Sequence, residues 1–240
     1  MNIIAVTHMG PNKIENEDRI VIGKSLIADG TFQTQSFSGV VAVADGVGGN
    51  NAGAVASHFV ANRLTVLESV SVEAFTKINE ELLELASDKA GCEDMATTLS
   101  GISICGEDVS LFSIGNTRVY LLQSRKYLKQ LTRDDTTLNY LLATGQLSAE
   151  DAKTFERKNE ITACFGGGAP NLFKIKFSKI DSLSSPFMMT SDGIHDYISI
   201  DEMEDIIAEY GISVAACESM ITAARTAGSH DDVSIVLGEL

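Results

Sequence analysis

The chain has 240 residues, 44% of them hydrophobic, and a formal net charge of −15. That size and apolar content suffice for one substantial core and exclude a disordered chain. The acidic balance excludes non-specific attraction to nucleic acid or anionic lipid, and no apolar run is long enough to cross a bilayer.

Ile3-Ile4-Ala5-Val6 opens the chain as a strand (2–6), too short for a secretory signal core, so a cytoplasmic location is expected. The acidic pair Glu17-Asp18 then precedes a strand at 19–22. A third strand, 39–44, is a buried apolar run that stops on Asp45-Gly46. Two helices are predicted at 52–67 and 72–86, the second with Phe75, Ile78, Leu82 and Leu85 at helical spacing.

A run of strands follows at 98–105, 109–114, Arg118–Gln123 and Tyr127–Gln130. Gly106-Glu107-Asp108 and Gly115-Asn116-Thr117 supply turn chemistry between them. The polar stretch 136–156 reads as a helical surface insertion over the sheet, with a cap at Ser148-Ala149-Glu150-Asp151. Strands resume at 172–177 and Phe187–Thr190, the latter again ending on Asp-Gly, at Asp192-Gly193. Helices Ile200–Tyr210 and Val214–Thr226 and a strand at 233–237, just after Asp231-Asp232, complete the chain. Strands in sequence and helices in pairs predict a single α+β layered domain over 1–240.

The two strand-Asp-Gly units and two further acidic pairs are the chemical signal. Glycine beside each carboxylate lets the backbone turn sharply there. Carboxylates brought together repel unless a cation lies between them. An oxygen-only donor set suits Mg²⁺ or Mn²⁺, and two such ions can activate water and clamp a phosphoryl group. On the residues alone, turn and helix capping by the same aspartates is an equal alternative. The four cysteines, Cys92, Cys105, Cys164 and Cys217, lack metal-site spacing and read as reduced thiols. Gly46-x-Gly48-Gly49 fails both nucleotide-binding glycine patterns.

The order of motifs resembles that of the metal-dependent protein phosphatases of the PPM family, also called type 2C, in their bacterial form. The matching segments are 10–18, ending in Asn16-Glu17-Asp18; Ala44-Asp45-Gly46-Val47-Gly48-Gly49; Ala96-Thr97-Thr98; and Ile114-Gly115-Asn116-Thr117-Arg118-Val119-Tyr120. They continue through 131–136, 145–152 and 159–166 to Thr190-Ser191-Asp192-Gly193-Ile194-His195-Asp196 and Asp231-Asp232-Val233-Ser234.

The resemblance implies a four-layer α-β-β-α sandwich of two antiparallel sheets flanked by helix pairs, with a small flap insertion at about 133–165. It implies two Mn²⁺ or Mg²⁺ ions held by Asp18, Asp45, the Gly46 carbonyl, Asp192 and Asp231, with Glu17 acting through water. Asp45 would bridge the ions, a bridging water would attack phosphorus in line, and Lys13 would contact the phosphate. Asp45, Asp192 and Lys13 are therefore the expected catalytic residues, and phosphoserine or phosphothreonine proteins, the products of a Ser/Thr kinase, the expected substrates. A monomer without nucleic-acid or membrane partners is expected.

Four positions depart from the family pattern. Lys13 stands where arginine is usual and loses its two-pronged hydrogen bond. Asn116 replaces an aspartate, so a third metal is expected to be weak or absent. Asp232 stands for asparagine and could strengthen or crowd the site, and Val47 takes the place of a general-acid histidine found in many eukaryotic relatives. His195 and His230 are expected to be non-catalytic, and Thr97, Thr98 and Asp196 to orient ligands. The alternative is a catalytically weak phosphatase-like protein that binds a phosphorylated partner.

Overall fold

The structure, a computed structural model, describes residues 2–35, 37–48, 52–106, 108–180 and 185–239. Gly49 and Glu107 of the motifs above lie outside the described residues. In chain order the elements are β1 (Asn2–His8), β2 (Asp18–Ile22), β3 (Ser25–Ile27), β4 (Gly30–Thr34), β5 (Gly39–Val47), α1 (Ala52–Thr65), α2 (Val72–Asp88), β6 (Ala96–Thr97), β7 (Leu99–Cys105) and β8 (Asp108–Ile114). There follow β9 (Arg118–Gln123), β10 (Tyr127–Gln130), α3 (Thr137–Ala143), β11 (Phe165–Gly166), β12 (Lys176–Ile180), β13 (Phe187–Thr190), α4 (Asp192–His195), α5 (Ile200–Tyr210), α6 (Val214–Thr226) and β14 (Val233–Glu239).

Side-chain alternation sorts these elements into layers, because successive strand residues face opposite ways. On β5, Val41 and Val43 join Ile3, Ala5, Ile20, Ile22, Met189 and Val236 in a core between two sheets. Their neighbours Ala42 and Ala44 face outward against Ala56 and Val60 of α1 and Phe75 and Leu82 of α2. Small residues here let α1 lie close to the strand. On β1, Ile4 and Val6 face outward against Met203, Ile207, Cys217 and Met220 of α5 and α6. Each large apolar side chain so buried contributes about 1.5–3 kcal/mol.

The sheets run β10-β9-β13-β14-β1-β4 and β11-β6-β5-β7-β8-β12, with β2 and β3 added beside β5. Neighbouring strands are antiparallel throughout, as in the β1–β14, β2–β5 and β7–β8 ladders. The result is the expected α-β-β-α sandwich. Ser71, Ser199 and Ser213 cap α2, α5 and α6, and Ser199 forms a capping box with Glu202.

Three local expectations need correction. The stretch 136–156 is not one helix: α3 ends at Ala143, Gly145 takes φ +69°, and only a 3₁₀ turn at Asp151–Thr154 follows. None of the α3 side chains is buried, so no apolar face draws the helix onward. The strand expected at 172–177 begins instead at Lys176, after a 3₁₀ turn at Pro170–Leu172. Phe173 and Ile175 do pack against the α2 layer, but the partner β8 is paired only as far as Ser113, opposite Lys176. Finally, the glycine of the first Asp-Gly unit does not end its strand, since β5 continues through Gly46 to Val47.

Candidate metal centre

At one end of the sandwich the face between the sheets changes from apolar to polar on several strands at once. Val41 and Val43 lead to Asp45 on β5, and Ile22 and Ile20 lead back to Asp18 on β2. Asp18 and Asp45 are registered partners across that ladder. On the other sheet, Ile3 and Ala5 lead to Thr7, and Val236 leads back to Ser234 and Asp232. Thr7 and Ser234 are paired in register, and the Ser234 hydroxyl donates to Thr7 Oγ1 at 2.8 Å. Asp192 starts α4 directly beyond β13, and Asp231 lies just before β14. Four segments far apart in sequence thus deliver acids to one place.

Close backbone packing makes the two Asp-Gly units. A Cβ on Gly46 would lie 2.2 Å from the Gly53 carbonyl oxygen, and one on Gly193 would lie 1.9 Å from that of Asp232. Both glycines are required by contact with a neighbouring chain segment rather than by a turn.

The expected residues converge on a cleft of ≈ 410 Å³ lined by Lys13, Glu17, Asp45, Gly46, Asp192 and Asp231. Asp18 sits behind its floor, 1% exposed. Val47, Gly48, Asn116 and Asn159, Glu160 and Ile161 of the expected flap complete the lining. The flap residues carry no distinguishing signal in the sequence beyond their place at the flap exit.

The electrostatics are those of crowded, buried acids. Burial, then the charges of Asp232 and Asp192, push the Asp18 carboxyl up to about 8, against the opposing pull of the Ser191 and Ser234 hydroxyls. Burial and the charges of Asp192, Asp18 and Asp231 raise Asp45 well above the usual carboxylate range. Burial and Asp231 likewise push Asp192 up to about 6. Asp18 Oδ2 is buried with no hydrogen-bond partner.

Lys13 is the cation among them. Its Nζ lies 2.6 Å from Asp231 Oδ1, 3.0 Å from Asp232 Oδ2 and 3.2 Å from Glu17 Oε2. Burial opposes its charge, but Asp231 and Asp232 outweigh burial and leave its pKa raised. Asp232 is also a structural clasp: its Oδ1 accepts from Gly10 N at 2.8 Å and its Oδ2 from Glu17 N at 2.7 Å. The side chain that could either strengthen or crowd the site therefore fastens the loop carrying Lys13 and Glu17.

Other groups hold the acids in place. Thr97 Oγ1 donates to the Asp45 carbonyl at 2.9 Å, and Thr98 Oγ1 accepts from Asp45 N at 3.1 Å. Asn16 Oδ1 accepts from Asp18 N at 2.9 Å. Asn116 Nδ2 donates to Asp192 Oδ2 at 3.0 Å. Asp196 accepts from Asn159 of the flap. Two arginines that the sequence does not single out act on the backbone: Arg19 Nη1 donates to the Asn16 and Asp18 carbonyls, and Arg225 Nη1 to the Asp231 carbonyl at 2.6 Å. His195 is buried against Thr190 Oγ1 at 2.7 Å from Nδ1, outside the cleft lining, and His230 is exposed.

This donor set fits divalent cations. It offers only hard oxygens, burial and mutual repulsion raise its carboxyls above the usual carboxylate range, and one buried oxygen is unpartnered. Among the described residues no three acids close tightly around a single point.

The family profile described as Protein phosphatase 2C matches residues 24–225. The serine/threonine phosphatase Stp of Listeria welshimeri serovar 6b is 29% identical over 226 residues, covering 88% of each chain. The crystal structure of the Mycobacterium tuberculosis serine/threonine phosphatase PstP/Ppp superposes with a TM-score of 0.83 at 24% identity, covering 100% of this chain and 99% of that one. A catalytic-domain structure of PstP in complex with two manganese ions gives 0.77 at 24% identity, covering 99% and 98%. At these identities the two solved structures establish the shared fold.

Proposed function

Because the chain belongs to the protein phosphatase 2C family, we propose that its acidic cleft removes phosphate from phosphoserine and phosphothreonine side chains of proteins by direct attack of water. The observation that carries this reading is the registered pair Asp18–Asp45 meeting Asp192 and Asp231 from the opposite sheet. Such a cluster is strongly unfavourable without divalent cations to neutralise it. The names of the relatives support the phosphoprotein substrate, and the manganese-bound PstP domain supports Mn²⁺ or Mg²⁺ as the metal.

In this reading Asp45, Asp192, Asp231, the Gly46 carbonyl and Asp18 would hold two ions, and Glu17 would act through water. Bound there, the ions supply positive charge that acidifies water and neutralises phosphoryl oxygens. Lys13, the one cationic side chain lining the cleft among the described residues, meets the phosphate and balances Asp231 and Asp232. Asn116 keeps Asp192 in a fixed orientation, a task its neutral amide performs without adding charge. Thr97 and Thr98 fix the Asp45 backbone so that its carboxylate needs no reorganisation during turnover. Val47 offers the leaving oxygen no proton.

The enzyme acts as a monomer in the cytoplasm on the products of a Ser/Thr kinase. Supporting the reducing compartment, the four cysteines, Cys92, Cys105, Cys164 and Cys217, are all free. The test is hydrolysis of p-nitrophenyl phosphate and a phosphothreonine peptide with Mn²⁺ and with chelator. Turnover only with metal is expected; a folded protein that stays inactive at saturating Mn²⁺ would point to the non-catalytic binding role instead.

A further inference from the structure

A second concavity, of ≈ 320 Å³, adjoins the acidic cleft and is lined by Arg133, Asn139, Tyr140, Thr162 and Lys174, among others. One chain segment walls both spaces: Glu160 and Ile161 line the cleft, and the next residues, Thr162 and Ala163, line the groove. That segment is fixed by the Thr136–Ile161 bridge and by Thr162 N donating to the Asp135 carbonyl at 2.7 Å. Because consecutive residues of one segment line the two spaces, an extended peptide advancing about 3.3–3.6 Å per residue from the cleft meets the groove within a few residues of its phosphoresidue.

The charge of the groove is opposite to that of the cleft. Its two acids are already matched, Asp134 by Arg118 and Gln130, and Asp135 by Lys176 and the Gly115 amide. Arg133 donates only to the Asn139 carbonyl, at 3.4 Å, and neither it nor Lys174 makes an ion pair with a carboxylate among the described residues. In a chain of net charge −15, two uncompensated cations beside a built concavity favour an anion. We propose that this groove receives an anionic side chain of the phosphoprotein, a carboxylate or a second phosphate, lying within a few residues of the phosphoresidue under attack. The proposal rests on the phosphatase reading above and adds the sequence context of its substrate.

The test uses the full chain with Mn²⁺ and phosphothreonine peptides carrying alanine, glutamate or phosphoserine at positions two to four residues on either side. For wild type, kcat/KM should rise by about fivefold with glutamate, the scale of a well-placed surface ion pair, and further with the more highly charged phosphate. The double variant Arg133→Ala, Lys174→Ala should lose that preference while hydrolysing p-nitrophenyl phosphate as wild type does, since the small ester does not reach the groove. Lys174→Glu should turn the preference into discrimination. Equal kcat/KM on the three wild-type series, or a preference that survives the double variant, overturns the proposal. Absence of p-nitrophenyl phosphate turnover in folded, manganese-loaded wild type would sink the phosphatase reading and this proposal together.

Discussion

Asp18 and Asp45 face each other across the β2–β5 ladder, at the point where both strands exchange apolar side chains for acids. Like charges directly opposite on a sheet destabilise it, so this pair sets up a competition between folding and ion binding. Asp45→Asn removes one of the two crowded, buried carboxyl groups. In chelator the variant should melt about 2–4 °C higher for each kcal/mol of repulsion relieved. Its turnover with Mn²⁺ should fall by more than the ~10–100-fold typical of losing a group that merely supports a ligand. A thermal melt in chelator and a rate in Mn²⁺, on the same preparation, check both.

The pH dependence follows from the raised carboxyls. In the folded chain Asp18 and Asp192 hold their protons up to about 8 and about 6, chiefly because they are buried. Unfolded, both release them in the ordinary carboxylate range. Between that range and about 8 the folded state therefore binds more protons, and stability declines as pH rises. Urea midpoints in chelator should be higher at pH 5 than at pH 8, while Mn²⁺ affinity should run the other way, because metal and protons compete for the same oxygens.

Asp232 joins strand β14 to the loop that carries Lys13 and Glu17. Asp232→Ala strands the buried Gly10 amide and the half-buried Glu17 amide and should cost about 2–6 kcal/mol, at about 1–3 kcal/mol per unsatisfied group. Asp232→Asn retains one acceptor oxygen and should cost less. Equilibrium urea denaturation of the two variants at one pH gives the comparison.

Asn116→Asp places a carboxylate against Asp192 where an amide now donates. In chelator it should lower the melting temperature; with millimolar Mn²⁺ it should take up one more, weakly held ion. Calorimetric stoichiometry of wild type and variant measures this directly.

Legibility in the sequence follows the strength of the periodic signal. The strands β7 and β8 and the amphipathic α2 carry many apolar residues at fixed spacing, and the sequence places all of them closely, as it does the start of β5. β3 is only Ser25–Ile27, and β4 is an edge strand with Phe32 as its one large apolar side chain, so neither yields a pattern. β11 is two residues, Phe165-Gly166, held by pairing with β6. At the site, residue types and strand-end positions mark Asp45 and Asp192, whereas the register that sets Asp18 against Asp45 is a tertiary fact. The same holds for the ring of acids around Lys13, for the clamps made by Arg19 and Arg225, and for the flap residues of the cleft. Each depends on which distant segment arrives beside it, and adjacent residues in the chain do not encode that.

The central claim is that acids from both sheets gather divalent ions in this cleft. Anomalous scattering from crystals grown in saturating Mn²⁺ tests it most directly. The account predicts two manganese peaks between Asp45, Asp192 and Asp231, with Asp18 behind them. Manganese absent from the cleft, or bound only at surface carboxylates elsewhere, would contradict it.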